Sequence, residues 1–326
     1  MGASRNRICP CGSRQRYKHC CGAQSDSSIK PTNDQLEALA FEADDEGLSL
    51  GEEPNQRAFK NVLRVLERLG IDGVPLTGER CPEIVKRIHK ANNRLFRPID
   101  QREGGIHLGF FMFRDFFSRL YVPLAFGSGW IDFWKLLDLS EDQKLWMAND
   151  SEAMATFEDQ SIDLIDFGYG FLEFGHTRTV TDQSKNLIYR AHVQLEAAAA
   201  TAIYAYDYRG TLQSALLGAE LALKAGLSCS GYSDSDLQKK IGHNLIKAAT
   251  ALGESETAFD ADRVANAVLT FPNFVQSRYG GPQPDRREMG HILMKAQFIA
   301  SEVTRTFTDR NLRASGSIAK LRRYPS

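Results

Sequence analysis

The sequence predicts a mainly α-helical protein in which a short cysteine-rich segment is tethered to a helical body. Four of the six cysteines lie within residues 9–21, and a polar segment follows them at 25–34. Beyond that segment, apolar residues recur at the i, i+3, i+4, i+7 spacing of amphipathic helices along most of the chain. These observations predict a small N-terminal knuckle, a linker and a larger helical part.

The composition is that of an ordinary globular protein. The chain has 326 residues, of which 42% are hydrophobic and 25% charged. Disordered, collagen-like and fibrous chains are therefore excluded, and the length suggests about two domains. The net charge of −1 gives no overall attraction to nucleic acid, so any such contact must come from a local basic patch.

The sequence shows no membrane or secretory signal. The longest uncharged runs, at residues 120–131 and 264–277, are much shorter than the ~20 residues that a membrane helix needs. No apolar segment follows the N-terminus, and Asn6 stands where a myristoylation motif has Ser or Thr. We expect a cytoplasmic protein of bacterial type with no membrane partner.

Composition and periodicity divide the chain into five regions. They are a Cys-rich knuckle (1–24), a linker (25–34), a helical and aromatic-rich middle region (35–180), a helical bundle (181–310) and a basic tail (311–326). The tail follows the last periodic segment, and we expect it to be frayed.

The middle region holds an aromatic cluster. Ten of the 32 aromatic residues fall between Phe110 and Trp134. This stretch fits either strands or a buried helix, and periodicity does not decide between them. We expect the rings to belong to a core rather than to a ligand pocket.

Three aspartates, Asp159, Asp163 and Asp166, recur at helix-face spacing in the same region. Such a triplet can hold a cation. A solvated helix face is the more common structure for this pattern, and it is the one that we expect.

The four clustered cysteines have the spacing of a metal site. Cys9 and Cys11 form a C-x-C pair, and Cys20 and Cys21 follow after eight residues. Four thiolates fill the tetrahedral coordination that structural zinc prefers. Because about twenty residues cannot build a core of their own, metal binding would supply the folding free energy of this segment.

This segment resembles the SEC-C motif over residues 4–22. The matching residues are Arg5-Asn6, Cys9-Pro10-Cys11-Gly12-Ser13, Tyr17-Lys18 and Cys20-Cys21-Gly22. The resemblance implies that Cys9, Cys11, Cys20 and Cys21 bind one structural Zn²⁺, with His19 left as a basic surface residue. It also implies a docking module for proteins or ribosomes. Five basic residues around the cysteines would suit an acidic partner, including nucleic acid: Arg5, Arg7, Arg14, Arg16 and Lys18.

Residues 184–308 resemble the HEPN superfamily of helical bundles. The resemblance rests on three short motifs: Glu220-Leu-Ala-Leu-Lys224, Gly242-His243-Asn244-Leu245 and Ser277-Arg278-Tyr279. It implies a HEPN-like bundle that binds a nucleotide, RNA or a second subunit.

Each of these motif residues also has an ordinary structural explanation. Glu220 and Lys224 can form an i, i+4 ion pair, and His243 can hydrogen-bond a neighbouring helix. Arg278 can cap carbonyls at the end of the bundle. Outside the motifs, His192 shares an apolar helix face with Ile188 and Leu195, which predicts a core histidine.

Some HEPN proteins are metal-independent ribonucleases with an R-x4–6-H pair. Arg286 and His291 have this spacing: the histidine would act as general base and the arginine would stabilise the phosphorane charge. The family favours Asn, Asp or His after the arginine, whereas this chain has Arg287. Residues five apart on a helix lie about 140° apart round its axis, but Arg287 and His291 are four apart and share a face, so Arg287 is the alternative partner of the histidine. Asp285 and Glu288 also fit a helix capping box. In the family such sites form across a dimer, so this hypothesis predicts a homodimer.

Other catalytic signatures are absent from the sequence. It contains no Walker loop, no strand-linked G-x-G-x-x-G, no G-x-S-x-G and no H-E-x-x-H. Cys81 and Cys229 have no histidine nearby in sequence and are predicted to be inert thiols. We therefore predict a zinc-binding docking protein, with the ribonuclease as the alternative.

Overall fold

The computed structural model describes most of the chain in two units. It describes residues 14–16, 31–76, 81–96, 105–123, 132–176, 180–204, 208–272, 284–314 and 322–325. The first unit runs from Met1 to Glu103 and the second from Gly104 to Ser326. Most described residues are helical, which confirms the mainly α fold class.

Three helices make up the described part of the first unit: α1 (Asn33–Ser49), α2 (Pro54–Arg68) and α3 (Glu83–Asn92). The side chain of Thr32 caps α1 and accepts a hydrogen bond from the Gln35 N–H, while Gln35 returns one to the Thr32 N–H. The three helices enclose an aliphatic core of their own, formed by Leu36, Ala40, Ala43, Val62, Val65, Leu66, Val85, Ile88 and Ala91.

The second unit opens with a hairpin. Strands β1 (Gly105–Phe113) and β2 (Phe116–Pro123) pair antiparallel, with Phe113 opposite Phe116. Arg114 adopts the left-handed conformation (φ 58°) in the two-residue turn. The open choice for the aromatic segment is thus resolved to strands over these residues. Phe110 and Phe111 are fully buried, as expected of core aromatics.

The remaining elements of the second unit are helical. They are α4 (Phe133–Leu136), α5 (Glu141–Ala148), α6 (Ser151–Glu173), α7 (Asp182–Tyr204), α8 (Tyr208–Cys229), α9 (Asp234–Asp236) with a π-helical turn (Leu237–Ile241), α10 (Leu245–Ser255), α11 (Ala261–Leu269) and α12 (Arg286–Phe307). Among these described helices, none is long and apolar enough to span a membrane.

The hairpin and the long helices α6, α7, α8 and α12 share one core. Gln297 of α12 links helix to sheet: its amide accepts from the Phe110 N–H and donates to the Phe110 carbonyl, both at 2.8 Å. The sequence placed a domain boundary between residues 180 and 181. In the structure the packing changes at 103/104, and helices on both sides of residue 180 contribute to one core.

The expectation of a frayed tail is wrong for its described residues. The Arg323 and Tyr324 N–H groups both donate to the Asp159 carboxylate at 2.8 Å, and Arg322 pairs with Asp163. Farther along, the Arg263 guanidinium donates to the Pro325 carbonyl at 2.7 Å. Residues 322–325 are therefore held against helices α6 and α11.

Candidate functional site

The four predicted zinc ligands, Cys9, Cys11, Cys20 and Cys21, lie outside the described residues, and so does His19. From the knuckle the structure describes only residues 14–16. Arg14 and Arg16 are exposed there, and Arg14 adopts the left-handed conformation with φ 59°. Two of the five predicted basic residues thus present their charges to solvent.

The aspartate triplet is not a solvated face, and that expectation is wrong. Asp163 and Asp166 are fully buried and Asp159 nearly so. Their partners are the guanidinium groups of Arg305, Arg313 and Arg322. The carboxylates therefore pair with the positive side chains of arginines from α12 and the C-terminal segment. Because these arginines lie about 140 positions or more after the aspartates in the chain, the helix spacing of the aspartates could not predict the ion pairs.

Arg286, the first predicted catalytic residue, lies at the N-terminus of α12. Its guanidinium stacks over the Phe117 ring at 3.9 Å and donates to the Tyr208 hydroxyl at 2.7 Å and the Asp115 carbonyl at 2.5 Å. It also lines an open cleft of about 450 Å³, which we call the arginine cleft: Arg114, Asp115, Asp285, Arg286 and Arg287. Three guanidinium groups against two carboxylates give this cleft a positive balance.

His291, the second predicted catalytic residue, has a different set of neighbours. Its ring stacks on Tyr324, with Nδ1 3.3 Å from the Tyr324 hydroxyl. Partial desolvation and then the charges of Lys295 and Arg287 lower the pKa of His291, so the imidazole is neutral at pH 7 and can accept a proton. His291 does not line the arginine cleft, whereas Arg286 does.

The residues around Arg286 have an ordinary structural role at the start of α12. Asp285 is the N-cap, and its carboxylate accepts from the Glu288 N–H at 2.8 Å. The structure thus confirms the N-cap half of the predicted capping box. Arg286 occupies the first turn beside it.

The ordinary structural roles predicted for the HEPN-like motif residues are confirmed where they are described. Glu220 is buried on α8, and its carboxylate lies 2.7 Å from Lys224 Nζ. His243 Nδ1 lies 3.0 Å from the same carboxylate, so the histidine links the start of α10 to α8. Residues Ser277, Arg278 and Tyr279 lie outside the described part.

The predicted core histidine, His192, is confirmed as buried, but it belongs to a polar group that the sequence did not predict. Its Nδ1 lies 3.0 Å from Nδ1 of His107, which is fully buried on β1. Glu196, one turn along α7, completes the group, which we call the His–His–Glu cluster. One ligand atom from each residue lies within 4.8 Å of the others. Spacing reveals only the His192–Glu196 half, because His107 is 85 residues away.

Aromatic rings and burial set the chemistry of this cluster. His192 stacks on Phe171 with centroids 4.0 Å apart, and His107 meets the edge of Phe167 at 5.1 Å. Burial lowers the pKa of His192 to about 4, and burial together with His192 lowers that of His107 well below its ordinary value. Burial also raises the pKa of Glu196. The hydrogen bond from the Leu108 N–H, at 2.7 Å, lowers this pKa but by less than burial raises it. Both imidazoles are therefore neutral at pH 7.

The two remaining cysteines, Cys81 and Cys229, are half-buried. The Cys81 thiol donates to the Leu76 carbonyl. The inert thiol remains a prediction.

Comparison with known proteins supports one of the two resemblances. No curated protein and no solved structure gives a significant match to the chain. The family model of the SEC-C motif matches residues 5–23, a segment that contains all four clustered cysteines. This match supports a zinc-binding module at the N-terminus.

Proposed function

We propose that residues 5–23 fold around one structural Zn²⁺ held by Cys9, Cys11, Cys20 and Cys21, and that the protein uses this knuckle to dock on a macromolecular partner. The observation that carries the proposal is the set of four thiols at the matched SEC-C spacing. Four protein ligands fill a tetrahedral zinc site and leave no position for water or substrate. Binding rather than catalysis is therefore the role that this donor set supports.

The charges around the knuckle favour an acidic partner. Residues 1–24 hold five Lys or Arg and no Asp or Glu, and Arg14 and Arg16 are exposed. Four thiolates against one Zn²⁺ carry a net charge of −2, which offsets part of this positive charge. We infer a partner with a phosphate backbone, RNA or the ribosome, with an acidic protein as the alternative outcome of the test.

The experiment uses the full chain and two variants that separate metal from charge. Cys20→Ser/Cys21→Ser removes two ligands, whereas Arg14→Glu/Arg16→Glu reverses charge and keeps every cysteine. Zinc content is measured by mass spectrometry, and binding by ribosome co-sedimentation and by RNA filter binding at increasing salt.

We expect the cysteine variant to lose zinc and partner binding together. The charge variant should keep its zinc and bind at least tenfold more weakly. Lys86→Glu/Lys135→Glu makes the same change in net charge at exposed positions outside the knuckle and should bind as the wild type does. Equal binding by the Arg14→Glu/Arg16→Glu variant would rule out an acidic partner of either kind. Failure of the wild type to bind RNA or ribosomes would rule out the phosphate partner and leave an acidic protein.

The second candidate function is the metal-independent ribonuclease with Arg286 and His291. The observation in its favour is the arginine cleft, where Arg114, Arg286 and Arg287 line one open space. Guanidinium groups form strong, often bidentate hydrogen bonds with phosphate. Because His291 lies outside the cleft, this hypothesis places the histidine of one subunit against the arginines of another. It therefore requires a homodimer formed through the HEPN-like bundle.

Cleavage of RNA in EDTA tests this candidate, because chelation silences contaminating metal-dependent nucleases. Arg286→Ala and His291→Ala should each abolish cleavage, and mixing the two inactive variants should restore part of it if the site spans a dimer. His243→Ala removes an imidazole that pairs with Glu220 and should have no effect. Cleavage that survives either substitution, or a monomer in solution, would exclude this site.

A further inference from the structure

We propose that His107, His192 and Glu196 form a second metal site, which binds a divalent transition-metal ion such as Zn²⁺. Two imidazoles and one carboxylate are the donors that zinc and iron(II) sites of this kind use. All three residues belong to the second unit: His107 lies on β1, and His192 and Glu196 lie one turn apart on the same face of α7.

The separations between the ligand atoms suit one ion. Metal–nitrogen bonds of about 2.0–2.1 Å at tetrahedral angles place two ligand atoms about 3.3 Å apart. The two Nδ1 atoms of His107 and His192 are 3.0 Å apart, and His107 Nδ1 is 3.7 Å from Glu196 Oε1. One ligand atom from each of the three residues lies within 4.8 Å of the other two, so shifts of the side chains by about 1 Å would bring all three to the distances that an ion requires.

The side chains of the cluster are already oriented by their neighbours. The Leu108 N–H donates to Glu196 Oε1 at 2.7 Å, and such contacts from beyond the metal fix the direction of ligands in known sites. Phe171 stacks on His192, and the edge of Phe167 contacts His107, so both imidazole rings are held in place.

Gly168 of α6 leaves room for the His107 side chain. A Cβ at Gly168 would lie 3.1 Å from the His107 Cβ and 3.2 Å from Val122 Cγ1, so glycine allows the helix to approach the strand here. A side chain at this position would force His107 or Val122 to shift. The close approach brings the strand and helix ligands together.

The site would keep an open position. Three protein ligands leave at least one coordination position for water, as in catalytic rather than structural zinc sites. The Glu196 side chain is 33% exposed, so solvent reaches the cluster from the carboxylate side. An ion bound there would exchange with the solution, unlike the ion of a four-cysteine knuckle.

Cobalt(II) titration of the full chain tests this site without an activity assay. A variant in which Cys9, Cys11, Cys20 and Cys21 are all replaced by serine removes the knuckle ligands. We expect it to bind one Co²⁺ per chain, with visible absorption bands but no thiolate charge-transfer bands. Adding Glu196→Gln keeps the shape of the side chain and removes a charged ligand, and it should weaken Co²⁺ binding at least tenfold.

Two controls make the result decisive. Glu173→Gln removes a carboxylate of similar exposure that pairs with Arg310 instead of a histidine, and it should leave Co²⁺ binding unchanged. Circular dichroism in EDTA should show the same helix content for all variants. If the four-serine variant binds no Co²⁺, or binds it equally well with Glu196→Gln, the cluster is a hydrogen-bonded core group and the proposal is wrong.

Discussion

Arg305 and Asp163 form a buried ion pair between α12 and α6, with Arg305 Nη1 3.1 Å from Asp163 Oδ1. Neither side chain is more than 8% exposed. Asp163 also receives Arg322 from the C-terminal segment, and Asp166 shares Arg305. Aspartates on one face of α6 thus pair with arginines of α12 and of the C-terminal segment. This charge cluster links both segments to α6 inside the protein.

Replacing Asp163 by asparagine should destabilise the protein strongly. The change keeps the shape of the side chain but leaves Arg305 and Arg322 buried with less negative charge around them. Removing one partner of a buried ion pair costs about 3–5 kcal/mol, so we expect a loss of that order in the free energy of unfolding. Urea unfolding followed by circular dichroism measures it.

The matched control for this variant is Asp138→Asn. Asp138 pairs with Arg119 but is 53% exposed, so the change should alter the free energy of unfolding by no more than about 1 kcal/mol. Equal effects of the two substitutions would mean that the charge cluster contributes no more to stability than a surface ion pair.

The C-terminal segment should detach when Asp159 is replaced by asparagine. The Asp159 carboxylate accepts the backbone N–H groups of Arg323 and Tyr324 and pairs with Arg313. An amide in its place carries no charge and offers one acceptor oxygen instead of two. We expect carboxypeptidase to trim the last residues several times faster in this variant, as followed by mass spectrometry.

His291 provides a second measure of the same release. Its ring stacks on Tyr324, so detachment of the segment should increase the exposure of the imidazole. The His291 pKa, followed by NMR, should then rise toward the ordinary value. An unchanged trimming rate together with an unchanged His291 pKa would show that other contacts hold the segment.

The sequence predicts local features of this protein better than distant ones. The helix periodicity, the Glu220–Lys224 pair and the cap at Asp285 each depend on residues within four positions, and the structure confirms all three. The sequence did not predict the arginine partners of the aspartate triplet, because these partners are far away in the chain. Asp163 and Arg322 are 159 residues apart, and no local pattern links them.

The His–His–Glu cluster shows the same limit at the candidate site. Helix spacing places His192 and Glu196 on one face of α7, which the sequence does show. The third residue comes from a strand that periodicity could not separate from a buried helix. Only the packing of β1 on α7 brings His107 to His192.

The ion pairs of Glu52 in the first unit should make stability depend on pH. Arg64 Nη2 and Lys60 Nζ each lie 2.8 Å from Glu52 Oε1, and hydrogen bonds from Arg64 and then Lys60 lower the Glu52 pKa to about 2. A carboxyl whose pKa is lower in the folded state than its ordinary value of 4.5 stabilises the fold at higher pH. This contribution is complete above pH 4.5 and is lost as the pH falls toward 2.

Comparison with Glu52→Gln measures this contribution directly. The variant should melt at a lower temperature than the wild type at pH 7. The difference in melting temperature should shrink steadily as the pH falls from 4.5, because protonated glutamate and glutamine carry the same charge. A difference that stays constant between pH 5 and pH 3 would assign the effect to shape rather than to charge.

Gly170 of α6 packs against α12 and should not tolerate alanine. A Cβ at this position would lie 2.1 Å from Thr304 Cγ2, far inside van der Waals contact. Thr304 is buried and its hydroxyl donates to the Ala300 carbonyl, so its methyl group cannot move away freely. We expect Gly170→Ala to destabilise the protein by about 1–3 kcal/mol, as overpacked cores do.

Gly210 in α8 is the matched control, because alanine there meets only Thr201 Cγ2, at 3.8 Å. Alanine is the better helix former by up to about 1 kcal/mol, so Gly210→Ala should leave the free energy of unfolding unchanged or raise it slightly. The same urea unfolding curves compare both variants. Opposite signs for the two substitutions would locate the constraint in the α6–α12 contact, since the gain in helix propensity has the same sign at both positions.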